Sequence, residues 1–339
     1  MLGLVTEPGV AGSTRVAEVP DVRGEVRIRV LEVGICGTDR EIAHGLFGVA
    51  PADRPTLVLG HELLGVVEQD GHGFAAGDLV TATVRRSCGQ CAPCGEGAPD
   101  SCATGDYSER GITRLDGFAR EVVAEDAAQL IPVPRALGRL GVLAEPTSIC
   151  ERALRHAREI GGRQPWELQR ALVLGAGAVG TLTVFLLRLA GVETWVASLE
   201  QEAPLAEAAG ARYVGLDALP QLGRFDLVVE CAGDAQLMAD AIGLLRRNGV
   251  ACLIGIDGRE QRVSIDGRVL AVDMILENRV VFGSVNAHRR DWLAAVEALA
   301  QLDQELLRGL IGLRAPLDRF DDAFAFRGGK ATLVLDSAD

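Results

Sequence analysis

The chain has 339 residues, too many for one ordinary hydrophobic core and suited to two domains. Apolar residues make up 48% and charged residues 24%, a globular composition that excludes disordered and fibrous classes. The formal charge of −13 comes with no Lys/Arg stripe to neutralise phosphates, which excludes nucleic acid as a partner.

Residues 1–8 (MLGLVTEP) show no basic run followed by an apolar one, so no export signal is read. The longest apolar stretch, 182–190, is interrupted by Thr183 and Arg188 and is too short to span a bilayer. A soluble protein in the cytoplasm is the expectation, with no membrane partner. In that reducing compartment the eight cysteines read as thiols or metal ligands, not disulfides.

Residues 1–145 read as short β runs broken by Gly and Pro. Residues 26–30 (VRIRV) alternate with period two, and 63–67 (LLGVV) and 78–84 (DLVTATV) are further strands between turn signals. An antiparallel, barrel-like domain is expected. After Pro146 the rhythm changes to strand–helix alternation. Strands are expected at 171–174, 194–197, 225–230, 250–254 and 280–282. Helices are expected at 178–190 and 203–209, and near 234–245 and 268–277. Such alternation predicts right-handed βαβ units and a doubly wound parallel sheet. Residues 286–339, including a helix at 292–300, are expected to return to the first domain. The resulting division is 1–148, 149–285 and 286–339.

Three constellations carry chemistry. Cys36, in 34–39 (GICGTD), follows a strand, and His61 and Glu62, in 59–62 (LGHE), precede another. Cys and His suit Zn²⁺, and a carboxylate completes three protein ligands around an open position, the catalytic arrangement. Glu62 and Glu145, the latter in 143–146 (LAEP), are the candidate carboxylates. Singly, Cys36 also reads as a core thiol and His61 as a satisfied core histidine, and spacing alone does not unite them.

The second constellation is local. Cys88, Cys91 and Cys94 are followed by Cys102 after seven residues, inside a lobe at about 85–105. Overlapping C-x-x-C pairs hold four sulfurs as tetrahedral Zn²⁺ requires, so a closed structural zinc is expected here.

The third is a nucleotide fingerprint. Gly175, Gly177 and Gly180 form G-x-G-x-x-G after an apolar strand, and Ala178 and Val179 open the helix that follows. Gly175 permits a tight turn, Gly177 lets the backbone approach a pyrophosphate, and Gly180 lets helix and strand pack closely. Glu200, twenty residues after Gly180, stands where an acid accepts a hydrogen bond from a ribose 2′-OH. No Arg or Lys lies between Trp195 and Glu207 to offset its charge, which favours NAD over NADP. The other reading of Glu200 is a solvated acid at a helix start. His72 and His156 read as surface or helix residues, and Cys150, Cys231 and Cys252 as buried thiols.

These motifs together resemble the zinc-dependent medium-chain dehydrogenases over essentially the whole chain. Residues 34–42 (GICGTDREI), 104–112 (TGDYSERGI), 116–118 (DGF) and 283–287 (GSVNA) resemble the glucose 1-dehydrogenase, or aldose dehydrogenase, branch. The resemblance implies a GroES-like catalytic domain plus a Rossmann domain, with the active site in the cleft between them. It implies Cys36 and His61 as catalytic zinc ligands, with Glu62 and Glu145 as the carboxylates near the metal. Thr38 would start a proton relay, and Glu109 and Asn286 would face the sugar or the nicotinamide edge. Two zinc ions per chain and a homo-oligomer, dimer or tetramer, are likewise implied. Two segments depart from the family pattern. NADP-using members carry basic residues where this chain has Ser198, Leu199 and Glu200. Well-studied sugar members carry a histidine upstream of the asparagine, and 274–277 (MILE) has none.

The expected reaction is hydride transfer from C1 of an aldose such as glucose to the nicotinamide, with zinc as Lewis acid. A polyol, cyclitol or secondary-alcohol dehydrogenase is the alternative on the same scaffold. A non-catalytic NAD(P)H sensor is the alternative from another class, and the joint presence of Cys36, Thr38, His61 and Glu145 weighs against it.

Overall fold

The computed structural model describes residues 1–200, 202–258 and 262–336. The chain forms two compact units, Met1–Ser148 with Asn286–Gln301 and Ile311–Asp339, and Ile149–Val285 with Leu302–Leu310.

The first unit is built around one long strand, Val26–Ile35. Its first residues alternate buried and half-buried, whereas Val30–Ile35 are buried throughout, so the period-two signal fades there although the strand continues. Glu62–Val67 pairs along one edge, while Val122–Glu125 and Lys330–Val334 share the other. Leu79–Ala82 and Leu130–Pro132 extend the sheet on one side and Ile311–Pro316 on the other, giving seven strands. Pairing is antiparallel except between Ile311–Pro316 and Lys330–Val334, which run parallel. Neither of those two strands was expected from the sequence.

The second unit holds a six-stranded parallel sheet. Its strands lie in the order Arg212–Gly215, Glu193–Ser198, Arg170–Leu174, Phe225–Glu230, Leu245–Leu253, Val280–Gly283. The order reverses between Arg170–Leu174 and Phe225–Glu230, and such a switch point opens a crevice at the strands' carboxyl ends. Leu172, Leu174, Phe225, Val228 and Ala251 form the core on one face. The helix Ala178–Leu189 is buried from Gly180 to Leu187, which explains its apolar residues on most faces.

Two features differ from expectation. The helix Ala144–Gly161, unread in the sequence, starts with Glu145 in its first turn. Leu302–Leu310 groups with the second unit, where Gly309 lies so close to Leu205 that a Cβ would sit 2.8 Å from its side chain. No helix among the described residues is long and apolar enough to cross a membrane.

Candidate functional site

The segment 34–39 is a strand-to-helix junction that aims a thiol. Cys36 caps the helix Gly37–Ala43: its Sγ accepts from the Thr38 amide at 3.2 Å, and Asp39 Oδ2 accepts from the Cys36 amide at 2.9 Å. His61 comes from the entry to Glu62–Val67 and is 5% exposed. The turn before it requires glycine, because Gly60 has φ +87° and a Cβ there would meet Val33 at 2.6 Å. Cys36 Sγ and His61 Nε2 stand 3.2 Å apart, and His61 Nδ1 lies 3.4 Å from Asp39 Oδ1.

Glu62 and Glu145 complete the cluster, with donor atoms of His61, Glu62 and Glu145 all within 4.8 Å of one another. All three are buried. Burial pushes the Glu145 carboxyl up to about 7, against the downward pull of His61. Burial also opposes charge on His61, but Cys36 and the Asp39 carboxylate outweigh it and raise the imidazole well above its ordinary range. Three buried carboxylates and a thiol are therefore gathered around one imidazole. Asp39 Oδ1 and His61 Nδ1 make no hydrogen bond among the described residues. Ligands about 2.0–2.3 Å from a tetrahedral Zn²⁺ stand about 3.3–3.8 Å apart, and the Cys36–His61 separation of 3.2 Å lies just short of that range. Asp39 sits where a carboxylate orients a ligating histidine. Thr38 is half-buried on the same helical turn.

Lys330 was not foreseen. Its Nζ donates to both oxygens of Glu62, at 2.5 and 2.6 Å, and to the Ile35 carbonyl at 3.4 Å. Burial alone would lower the ammonium, but the facing Glu62 carboxylate outweighs it and holds the group above its usual range.

In the four-cysteine lobe the nearest Sγ···Sγ separations are 3.4 Å (Cys91–Cys94), 3.5 Å (Cys88–Cys102), and 3.9 Å (Cys88–Cys94 and Cys91–Cys102). Thiolates about 2.3 Å from a tetrahedral Zn²⁺ stand about 3.8 Å apart, whereas a disulfide needs about 2.05 Å. The lobe fits an ion.

Glu109 and Asn286 belong to the same unit. Glu109 is paired with Arg85 at 2.9 Å, and Asn286 Nδ2 donates to the Asp100 carbonyl at 3.5 Å. Two residues beyond Glu109, Gly111 is pressed against Gly60, beside His61: a Cβ on Gly111 would lie 2.5 Å from the Gly60 carbonyl oxygen. Thus the 104–112 segment abuts the histidine turn although some fifty residues separate them.

In the second unit the fingerprint glycines have distinct environments. Gly175 has φ +105°, and a Cβ on Gly180 would lie 1.9 Å from the Gly175 carbonyl oxygen. Around Gly177, which caps the helix opened by Ala178 and Val179, nothing lies within 4 Å of such a Cβ. The helix N-terminus is thus open to a pyrophosphate. Glu200 is exposed two residues beyond Glu193–Ser198, and its carbonyl accepts from the Tyr213 hydroxyl. Cys150 and Cys252 are buried, but Cys231 only partly, because it follows the end of its strand.

Residues 22–135 match the family described as Alcohol dehydrogenase GroES-like domain, and 138–336 match Glucose dehydrogenase C-terminus. Glucose 1-dehydrogenase of Methanocella arvoryzae is 39% identical over 331 residues, covering 92% of each chain. Glucose 1-dehydrogenase 1 of Caldivirga maquilingensis is 36% identical over 99% of each. The structure of Haloferax mediterranei glucose dehydrogenase in complex with NADP, Zn and gluconolactone superposes with a TM-score of 0.91 at 29% identity, covering all of both chains.

Proposed function

From the chain's place in the family to which it belongs, the glucose dehydrogenase branch of the zinc-dependent medium-chain dehydrogenases, we propose that it oxidises an aldose such as glucose at C1, passing hydride to a nicotinamide cofactor and releasing the aldonolactone. The observation that carries this reading is the convergence on His61 of the half-buried Cys36 thiol and the buried Glu62 and Glu145 carboxylates, a donor set that suits a zinc ion. We assign the catalytic role to 1–148 and 286–339 and the cofactor to 149–285.

Zinc, when bound, would supply Lewis acidity to the substrate oxygen, and a bound nicotinamide would be the hydride acceptor. Cys36 and His61 would hold the metal, with Glu145 and Glu62 as the carboxylates beside it, and the Asp39 carboxylate, 3.4 Å from His61 Nδ1, would orient the imidazole. The Thr38 hydroxyl takes the proton leaving the substrate oxygen and passes it outward. Glu109 and Asn286 engage sugar hydroxyls or the nicotinamide edge. The amides opening Ala178–Leu189 receive the pyrophosphate, and Glu200 accepts from the ribose 2′-OH, favouring NAD.

A second zinc in the cysteine lobe makes two per chain, and the working form is a homo-oligomer, dimer or tetramer. The free cysteines suit a cytoplasmic setting.

Absorbance of reduced nicotinamide, followed with zinc-replete protein and a panel of aldoses, polyols and simple alcohols, tests this. Aldoses should give the highest kcat/KM. Preference for a polyol or secondary alcohol would move the reading to that substrate class, and no turnover of any would leave a cofactor-binding sensor.

A further inference from the structure

Arg85 has no part in the scheme above, yet its guanidinium is fully engaged beside a proposed sugar-binding residue. Its Nε and Nη2 both lie 2.9 Å from the same oxygen of Glu109, Oε1. Its Nη1 donates to the Asp100 carbonyl at 2.9 Å, and its Cζ lies 4.0 Å from the centre of the Tyr107 ring. The side chains of Arg85 and Glu109 are only 9% and 13% exposed, so this pair is poorly screened by water. Glu109 Oε2 accepts no hydrogen bond among the described residues.

The Asp100 carbonyl has a second donor. Asn286 Nδ2 lies 3.5 Å from it, on a backbone held at φ +65°. Two residues on, His288 Nδ1 accepts from the Arg290 amide at 3.0 Å, leaving Nε2–H to donate to the Gly97 carbonyl at 2.8 Å. Residues 97–100 of the cysteine lobe thus bond both the Asn286 segment and Arg85.

We propose that Arg85 is a positioning residue for sugar recognition. It clamps one oxygen of Glu109 so that the other faces a substrate hydroxyl, and the Asp100 carbonyl keeps that carboxylate in register with Asn286. This rests on the reading that Glu109 binds the sugar. A carboxylate gripped by two donors on one oxygen cannot rotate, so its free oxygen discriminates between sugars that do and do not offer a hydroxyl there.

The test uses zinc-replete enzyme and glucose with each of its deoxy analogues, in wild type, Glu109→Gln, Arg85→Met and Arg85→Lys. Losing a hydroxyl that is bound by a charged acceptor should lower wild-type kcat/KM roughly 10- to 100-fold. In Arg85→Met the same deletion should cost less than about threefold, with the loss on glucose itself carried mainly by KM. Arg85→Lys, which keeps the charge without the two-donor fork, should recover only part of the discrimination. If Glu109→Gln abolishes the penalty for one hydroxyl and Arg85→Met leaves it whole, Arg85 does not position Glu109 although Glu109 binds sugar. If Glu109→Gln alters no penalty, the sugar-binding reading of Glu109 fails and the role of Arg85 falls with it. Should Arg85→Met not fold, Arg85→Lys decides: full discrimination in that variant overturns the proposal.

Discussion

Lys330 Nζ lies 2.5 and 2.6 Å from the two carboxylate oxygens of Glu62, and both residues are buried. The strand between them presents Gly34, paired in register with Glu62 on one side and Thr332 on the other. A Cβ on Gly34 would lie 1.8 Å from Glu62 Oε2, so the ion pair exists because position 34 has no side chain.

Breaking that pair by removing one partner should weaken the first unit. Lys330→Met leaves the Glu62 charge buried without its counter-ion and should cost about 3–5 kcal/mol in urea unfolding of metal-replete protein. Adding Glu62→Gln to it should recover much of that loss. Gly34→Ala should also destabilise, by displacing the Glu62 carboxylate. A cost for Lys330→Met below about 1 kcal/mol would mean that the pair is dispensable.

Metal content separates the two thiol sites. Purified protein never exposed to chelator should carry two zinc ions per chain by elemental analysis. Cys94→Ser should lower zinc by one and chiefly reduce stability. His61→Ala should lower zinc by one and abolish turnover while cofactor still binds. Loss of both ions in either variant would show that the sites are not independent.

Gly180 is where the fingerprint is least tolerant. A Cβ there would lie 1.9 Å from the Gly175 carbonyl oxygen, so Gly180→Ala must push the helix away from the turn. Cofactor affinity measured by fluorescence titration should fall at least roughly tenfold, about 1.4 kcal/mol. Zinc content should stay unchanged, since every proposed metal ligand lies in the other unit. Unimpaired binding would mean that the close contact relaxes harmlessly.

The proposed preference for NAD rests on Glu200. Its exposed side chain would accept from a ribose 2′-OH and repel a 2′-phosphate. Two unit charges ~4 Å apart at an effective dielectric of 20 interact by about 4 kcal/mol, and salt and side-chain rotation reduce this. A preference for NAD of roughly ten- to a hundredfold in kcat/KM is expected, shrinking or reversing in Glu200→Arg. A wild-type preference for NADP would refute the assignment, and an unchanged ratio in the variant would make Glu200 a solvated acid.

The features legible in the sequence are those whose residues are close along the chain. The glycines at 175, 177 and 180 act within one turn, and the four thiols of the lobe lie within fifteen residues, so spacing carries their geometry. Strand–helix alternation likewise announces a parallel sheet, because each βαβ unit is built from consecutive segments. The helix Ala144–Gly161 is masked by Pro146, a boundary signal that stands in its first turn, although Ile149, Ala153, Ala157 and Ile160 recur at helical spacing.

Cys36, His61 and Glu145 were united only by family resemblance; their spacing carries no such signal. Tertiary structure alone revealed what surrounds them. Lys330 reaches Glu62 across 268 residues of chain, and its only trace in sequence is a lysine opening the apolar run 330–335 (KATLVL). Arg85 sits three residues before the first lobe cysteine, and nothing in that position says its guanidinium turns toward Glu109 instead of solvent. Charge compensation in a dry interior depends on which strands become neighbours in the sheet. Register decides that, and a strand's own residues specify its two faces but not its partners.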